Sequence, residues 1–401
     1  MPYRPPEKIL EKYAQVLVNF ALNNGQGIKK GEVVFLQVSE AAKPLLIHLR
    51  RQALLAGAYP IIQYLPEGLE REFYELAKKD QLIFFPKKYL KGIVEQADHF
   101  ISVLSETNKY ELEGIAPQKI LQRSRAFAPY KRWREEKEGR GKLSWTLALY
   151  ATPAEAKEAG LTLKEYWQQI IRACFLDFPD PVKKWREVFA QIEQTKNRLN
   201  QLAIEEIEVK AKDTNLTIGI GANRQWRGGS GTNIPSFEIF TAPNCRLING
   251  KVYFNQPLYV FGQLIKDIYL EFKNGRVVLA QAQRGQKALE EIIKTPGANR
   301  VGEFSLTDGR LSRITHFMAE TLYDENRGGR NGNFHLALGS AYQECYQGSN
   351  KEKLKAKDWQ KLGFNRSPLH LDFVSTQNRV VTACLKNGRK KIIYQNGQFK
   401  K

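Results

Sequence analysis

Three carboxylates and two histidines in the C-terminal half of the chain, Glu238, Glu303, His335, His370 and Asp372, are of the types that hold divalent metal ions. The last two are spaced H-x-D in the run Ser367-Pro368-Leu369-His370-Leu371-Asp372-Phe373. Side chains alternate along a strand, so if this run is extended His370 and Asp372 project from one face and can serve one ion or two adjacent ones. Oxygen and imidazole donors without thiolate suit borderline divalent ions such as zinc, cobalt or manganese, and they leave a coordination position open to water. That is the arrangement of a hydrolase rather than of a structural zinc site.

The elements that must position these residues differ between the two halves. The first part alternates strands and helices: a helix near Glu7 to Leu22, a strand Val33–Val38, a helical pattern through Leu45, Leu49 and Leu54 closed by Gly57, and a strand Pro60–Tyr64. A helix Glu67 to Lys78 and strands Leu82–Phe85 and His99–Leu104 complete the series. Such alternation implies βαβ units and a mainly parallel sheet covered by helices. No G-x-G-x-x-G opens a helix, which leaves dinucleotide binding with little support. The charged, glycine-punctuated run from Ala126 to Gly141 reads as a flexible connection or an exposed loop. Helices follow over Pro153 to Cys174 and Val182 to Leu202, the first opened by Thr152 as cap with proline behind it.

From Ile204 onward period-two segments dominate, among them Ile207–Ala211, Leu216–Ile220 and Asp267–Phe272, with a hairpin turn at Lys273-Asn274-Gly275. The predicted fold class is therefore α/β: an N-terminal, mainly parallel α/β domain over residues 1–200, then a β-rich α+β domain over 201–401. All the candidate ligands fall in the second.

With 401 residues, 42% apolar and 26% charged, the chain has the composition of a soluble two-domain protein. No run reaches the ~18 apolar residues of a membrane span, and the first residues lack the apolar core of a secretion signal, which points to the cytoplasm and away from membranes. Cys174, Cys245, Cys345 and Cys384 form no C-x-x-C pair and read as reduced thiols. The net charge of +20 raises nucleic acid as a partner. Lysine and arginine are nevertheless spread along the whole chain between glutamates, so solvated basic faces are the preferred reading.

Four stretches resemble the thermophilic metalloaminopeptidases typified by aminopeptidases T and S. Asn233-Ile234-Pro235-Ser236-Phe237-Glu238-Ile239-Phe240-Thr241 is similar to that family's Asn-x-Pro-x-Gly-Glu-Val-Phe-Thr, and Val301-Gly302-Glu303-Phe304 to its Gly-Glu. Leu322-Tyr323-Asp324-Glu325-Asn326 and His335-Leu336-Ala337-Leu338-Gly339-Ser340-Ala341-Tyr342 resemble Leu-Phe-Asp-Glu-Asn and His-Ile-Ala-Leu-Gly-x-Ala-Tyr. Asn365-Arg366-Ser367-Pro368-Leu369-His370-Leu371-Asp372-Phe373 is similar to Asn-x-Ser-x-x-His-x-Asp-Phe. The likeness spans most of the chain, with Gly27–Val34 and Tyr150–Ala156 also similar. It departs at Phe237, where glycine is usual, in the long Gly/Arg-rich loop from Asn326 to Phe334, and after Asp372-Phe373.

The resemblance implies a metal-dependent aminopeptidase that releases N-terminal residues from peptides. It implies as metal ligands Glu238, Glu303, His335, His370 and Asp372, with Tyr342 in the site. Two ions, zinc or cobalt first and manganese or magnesium as alternatives, would share a water and polarise the peptide carbonyl, the carboxylates offsetting the repulsion of two dications. Glu303 is a candidate proton shuttle, and Tyr342 either a ligand or a donor to the oxyanion. Asp324 and Glu325 are candidates for the substrate amine or for orienting the histidines. A homodimer whose N-terminal domain restricts access is implied as well. Taken singly, each glutamate reads as a surface charge, His335 as a core histidine, Tyr342 as packing, Asp324-Glu325-Asn326 as a loop-stabilising cluster, and Arg327 and Arg330 as solvated. The competing functional readings are a metallohydrolase acting on phosphoesters and a closed, basic relative that binds nucleic acid.

Overall fold

The computed structural model describes residues 3–349 and 351–400. The chain divides into two compact units, one of Met1–Phe189 with Ser230–Ser236 and Met318–Leu322, the other of Ala190–Gly229 with Phe237–Phe317 and Tyr323–Lys401.

The first unit is built on four parallel strands, β1 (Val33–Ser39), β2 (Tyr59–Leu65), β3 (His99–Leu104) and β4 (Ser144–Leu149), in the order β2-β1-β3-β4. Parallel neighbours need crossovers, and the intervening sequence supplies helices such as Lys43–Leu55 and Lys87–Gln96. The helix Glu7–Asn19 buries Leu10, Tyr13, Ala14, Leu17 and Val18, and the Tyr13 hydroxyl donates to the Leu149 carbonyl at 3.1 Å. Thr152 caps the helix Pro153–Glu158, its hydroxyl accepting from the Glu155 amide at 3.2 Å. His48 pairs with Glu7 and His99 with Glu32, both at 2.8 Å, so these two histidines are structural.

Two local expectations are corrected. Leu82–Phe85 is not a strand: Leu82 ends the helical turn Lys79–Leu82 and packs with Tyr74 and Ile115, while Phe84 is 67% exposed. Four apolar residues hemmed by Asp80-Gln81 and Pro86 have one side chain to bury, and a helical turn buries it without needing a strand partner. The run from Ala126 to Gly141 is not a loop but the end of the helix Pro117–Ala126 followed by the helix Ala128–Gly139. Arginine, lysine and glutamate are good helix formers. The second helix is held by its polar side chains: Lys137 donates to the Val94 and Ala97 carbonyls at 2.9 and 2.7 Å, and Arg134 stacks over Phe100 at 4.4 Å.

The second unit holds two antiparallel sheets. The larger comprises β5 (Ile204–Ala211), β6 (Thr214–Gly219), β8 (Ile248–Phe254), β10 (Gln263–Lys273), β11 (Arg276–Arg284), β15 (Arg379–Leu385), β16 (Lys390–Gln395) and β17 (Gln398–Phe399), with β9 (Leu258–Val260) on β10. Asn274 and Gly275 both take positive φ, 50° and 73°, closing the β10–β11 hairpin at the expected turn. The smaller sheet has the order β14-β13-β12-β7, from β14 (His370–Ser375), β13 (Asn333–Gly339), β12 (Val301–Thr307) and β7 (Glu238–Thr241). The first β residue of β14 is His370, and the H-x-D pair lies on the expected strand.

Alternation along the small sheet separates core from site. Phe304, Leu306, Phe334, Leu336, Leu338 and Phe373 are essentially inaccessible, and the register pairs Phe304 with Leu336, Leu306 with Phe334 and Leu336 with Phe373 on one face. Phe254 of the large sheet meets that face at Phe334 and Phe373, ring centroids 6.0 and 5.6 Å apart. Burial of these rings fixes the sheet whose other face carries the ligands. Truncation of Phe334 to alanine is predicted to cost about 3–5 kcal/mol, read as a lowered thermal midpoint. An unchanged midpoint would show that this apolar face does not anchor the small sheet.

Candidate metal centre

Cross-strand pairing assembles the site. Directly opposed residues share a face, and the register sets Glu238 opposite Thr307, His335 opposite Ser305, Asp372 opposite Ala337, and His370 opposite Gly339, with Glu303 opposite Ala337 from the other side. The positions between the five donors are thus small: serine, threonine, alanine and glycine. A one-residue irregularity in pairing between Val301 and Glu303 brings Gly302 against β13, where a Cβ would meet the Ser340 and Gly339 carbonyl oxygens at 2.4 and 2.6 Å. The Gly-Glu of this segment is therefore a backbone requirement beside a donor.

All five predicted donors converge. His335 Nε2 lies 3.3 Å from Glu303 Oε1, 3.5 Å from Glu238 Oε2 and 3.8 Å from Asp372 Oδ1. His370 Nε2 lies 3.4 Å from Glu303 Oε2 and 3.5 Å from Asp372 Oδ1. Donor atoms of Glu238, Glu303 and His335 form one group within 4.8 Å of one another, those of Glu303, His370 and Asp372 a second, and Glu303 belongs to both. The Nδ1 of His370 is 2.7 Å from the Ser340 carbonyl oxygen. A carbonyl only accepts, so Nδ1 carries a proton; burial opposes a charge on the ring, but the Asp372 and Glu303 carboxylates raise the His370 imidazolium well above its ordinary range, so a metal would take the place of the proton on Nε2.

These groups are enclosed: Glu303 is 3% exposed and His335 1%. Burial and then the Glu303 charge raise the Glu238 carboxyl to about 8. Burial opposes charge on His335, but the carboxylates of Glu303, Asp372 and Glu238 outweigh it and raise its imidazolium to about 9. Glu303 and Asp372 move the other way, held below the usual carboxylate range by the two histidines despite burial. Glu303 Oε2 and Asp372 Oδ1 are buried and accept no hydrogen bond among the described residues. Three largely enclosed carboxylates with two imidazoles, two of their oxygens accepting no hydrogen bond, fit a divalent metal by charge and by donor type.

The remaining predicted residues are placed as follows. Tyr342 exposes 39% of its surface, and its ring lies against His370 with centroids 4.7 Å apart. Burial and then the charges of Glu303, Asp372, Glu325 and Glu238 raise its phenol well above its ordinary range. Asp324 and Glu325 are buried at 4% and 7%. Arg330 is exposed, whereas Arg327 is not a solvated cation: it is half-buried and donates to Gln256 at 2.6 Å. Phe237 is completely buried and precedes Glu238, so alternation turns its ring away from the carboxylate face.

Sequence reasoning undervalued Asn326. Its Oδ1 accepts the Phe237 amide at 2.6 Å, which fixes the backbone one residue before Glu238, and its own carbonyl accepts from the Ser312 hydroxyl at 2.5 Å. The signal was the adjacency of asparagine to two acidic residues, but the partner is 89 residues away and no local pattern marks it. The glycine-rich loop after it packs tightly rather than standing off: at Gly332, with φ of 55°, a Cβ would meet the Thr307 carbonyl oxygen at 2.4 Å. Ser305 also escaped notice, its hydroxyl 3.4 Å from Glu238 Oε2.

The small sheet presents an oxygen–imidazole donor set suited to a divalent metal. The chain matches the thermophilic metalloprotease (M29) family over residues 6–399 and belongs to it, which makes it a peptide hydrolase. Among its relatives are aminopeptidase PepS of Streptococcus thermophilus, 27% identical over 97% of each chain, and aminopeptidase T of Thermus thermophilus, 26% identical over 97% of this chain and 98% of that one. The solved structure of wild-type AmpT from Thermus thermophilus shares the fold, with a TM-score of 0.83, 24% identity and coverage of 98% of this chain and 99% of the other. Among the described residues no helix is long and apolar enough to cross a membrane.

Metal must displace the protons that Glu238, His335 and His370 hold near neutrality, so its affinity is predicted to fall as pH drops from about 8 to 6. Calorimetric titration of zinc into metal-free protein at pH 7, in buffers of different ionisation enthalpy, should show proton release. Enthalpies independent of buffer would contradict the arrangement.

Proposed function

We propose that the protein is an aminopeptidase that uses two divalent metal ions held by Glu238, Glu303, His335, His370 and Asp372. The observation that carries the two-ion reading is the sharing of Glu303, whose Oε1 faces His335 and whose Oε2 faces His370. One carboxylate shared by two donor groups would help to hold both ions. Zinc or cobalt fits this oxygen–imidazole set best. Bound there, such ions supply Lewis acidity to the scissile carbonyl and lower the pKa of water.

The chain's own residues do the rest. Tyr342, whose phenol is raised above its ordinary range, would donate a hydrogen bond toward the oxyanion that develops on the substrate carbonyl. In this reading Glu303 would also shuttle the proton, taking it from water and handing it to the leaving amine. Asp324 and Glu325 are the candidates for receiving a free substrate α-amine, which would restrict attack to the N-terminal residue. Hydrolysis of aminoacyl chromogenic amides by metal-stripped protein is predicted to return on addition of zinc or cobalt and to be absent on N-acetylated substrates. Glu303→Ala and His370→Ala should each lower kcat/KM by more than the roughly 10- to 100-fold that loss of an outer-shell partner costs, with unchanged circular dichroism. Equal turnover of free and N-acetylated substrates would rule out the exopeptidase reading.

We further propose a homodimer. Supporting it is β2, an edge strand of the parallel sheet, on which Tyr59, Ile61, Ile62 and Tyr64 are 64%, 39%, 43% and 40% exposed. Exposed apolar edges are ordinarily blunted by charge or covered. Light scattering should give twice the mass of the chain, and I61K/Y64K should give the single-chain mass. A monomeric wild-type protein would contradict this.

A further inference from the structure

A second concave site in the catalytic unit takes no part in the peptidase reading. A cavity of about 490 Å³ opens beside the turn that leads into β12, between that turn and the segments around residues 245 and 365. Five of its fourteen lining residues are cationic, Arg246, Arg276, Lys294, Arg300 and Arg366, and none is acidic. Lysine and arginine make up 62 of the 401 residues of the chain, so this hollow is enriched in positive charge even for a basic protein.

The charge is also left unneutralised. Lys294 pairs with Glu291 at 3.1 Å, but the four arginines have no carboxylate partner among the described residues. Arg246 and Arg300 donate instead to the backbone carbonyls of Lys361 and Cys245, at 2.5 and 3.1 Å. Those bonds orient the guanidiniums without cancelling their charge. Like charges lining one hollow repel, and a concavity walled by low-dielectric protein focuses their field on whatever enters it. Guanidinium forks match the paired oxygens of phosphate, and a volume of this order suits a small molecule.

We propose that this cavity binds a small phosphate-bearing anion. It sits on the supports of the metal centre. Arg300 immediately precedes β12, three residues before Glu303, and Arg366 lies four residues before His370. Asn365, which also lines the cavity, donates to the carbonyls of Gly297 and Gly339 at 2.6 Å each, and Gly339 is the cross-strand neighbour of His370. An anion bridging Arg300 and Arg366 thus clamps together the two segments that deliver Glu303 and His370.

The test is calorimetric titration of the metal-loaded protein with fructose 1,6-bisphosphate, a weak chelator, and with inorganic phosphate. One site per chain is expected, tighter for the bisphosphate and weakening as salt is raised. R276E/R366E, at two exposed arginines, should lose roughly tenfold or more in affinity with unchanged circular dichroism, the charge-assisted bonds being removed. R389E, the same reversal at an exposed arginine outside the cavity, should bind as wild type. Unchanged binding in R276E/R366E would place the anion elsewhere, the metal centre included, and overturn the proposal. So would the absence of saturable binding by either phosphate compound.

Discussion

Enclosing three carboxylates close to two imidazoles is the constraint on which the second unit turns. Unpaired, each such charge would be driven out of the interior or neutralised by a proton. The fold resists both outcomes by mounting Glu238, Glu303, His335, His370 and Asp372 on four adjacent strands, so that none can withdraw without breaking a ladder of backbone hydrogen bonds. What remains is an electrostatic demand for positive charge. In the metal-free protein the raised pKa values of Glu238 and His335 express that demand as bound protons. A divalent ion meets it more fully.

That arrangement imposes conditions on its surroundings. The strand face opposite the donors must be held hard against the core, which the phenylalanines 304, 334 and 373 and Phe254 do. The positions between donors must be small enough to leave the donor atoms access to one another, as Ser305, Thr307, Ala337 and Gly339 are. Backbone groups just outside the set must fix its orientation: the Ser340 carbonyl for His370, and Asn326 through the Phe237 amide for Glu238. Each condition is met by a residue type that would look unremarked on its own.

Sequence made the donors legible because their chemistry is carried by residue type and, for His370 and Asp372, by a spacing of two that a strand converts directly into a shared face. The parallel sheet of the first unit was legible for a related reason, since apolar strands such as Val33–Val38 and His99–Leu104 alternate with helical periodicity. Leu82–Phe85 misled because apolar runs of four carry no period and their fate depends on neighbours such as Tyr74 and Ile115. The helix Ala128–Gly139 was hidden because its stability rests on long-range partners, Lys137 reaching carbonyls some forty residues away. Asn326 and Phe237 show the same limit within the site. The role of each depends on the other, and nothing local links them.

The central claim, that these five residues form one metal centre with Glu303 common to both halves, is tested most directly by anomalous X-ray scattering from crystals soaked in zinc. Two peaks are predicted, roughly 3.5–4 Å apart, one against Glu238, Glu303 and His335 and the other against Glu303, His370 and Asp372. A single peak would remove the bridging role of Glu303, and strong anomalous density only at other sites would contradict the account.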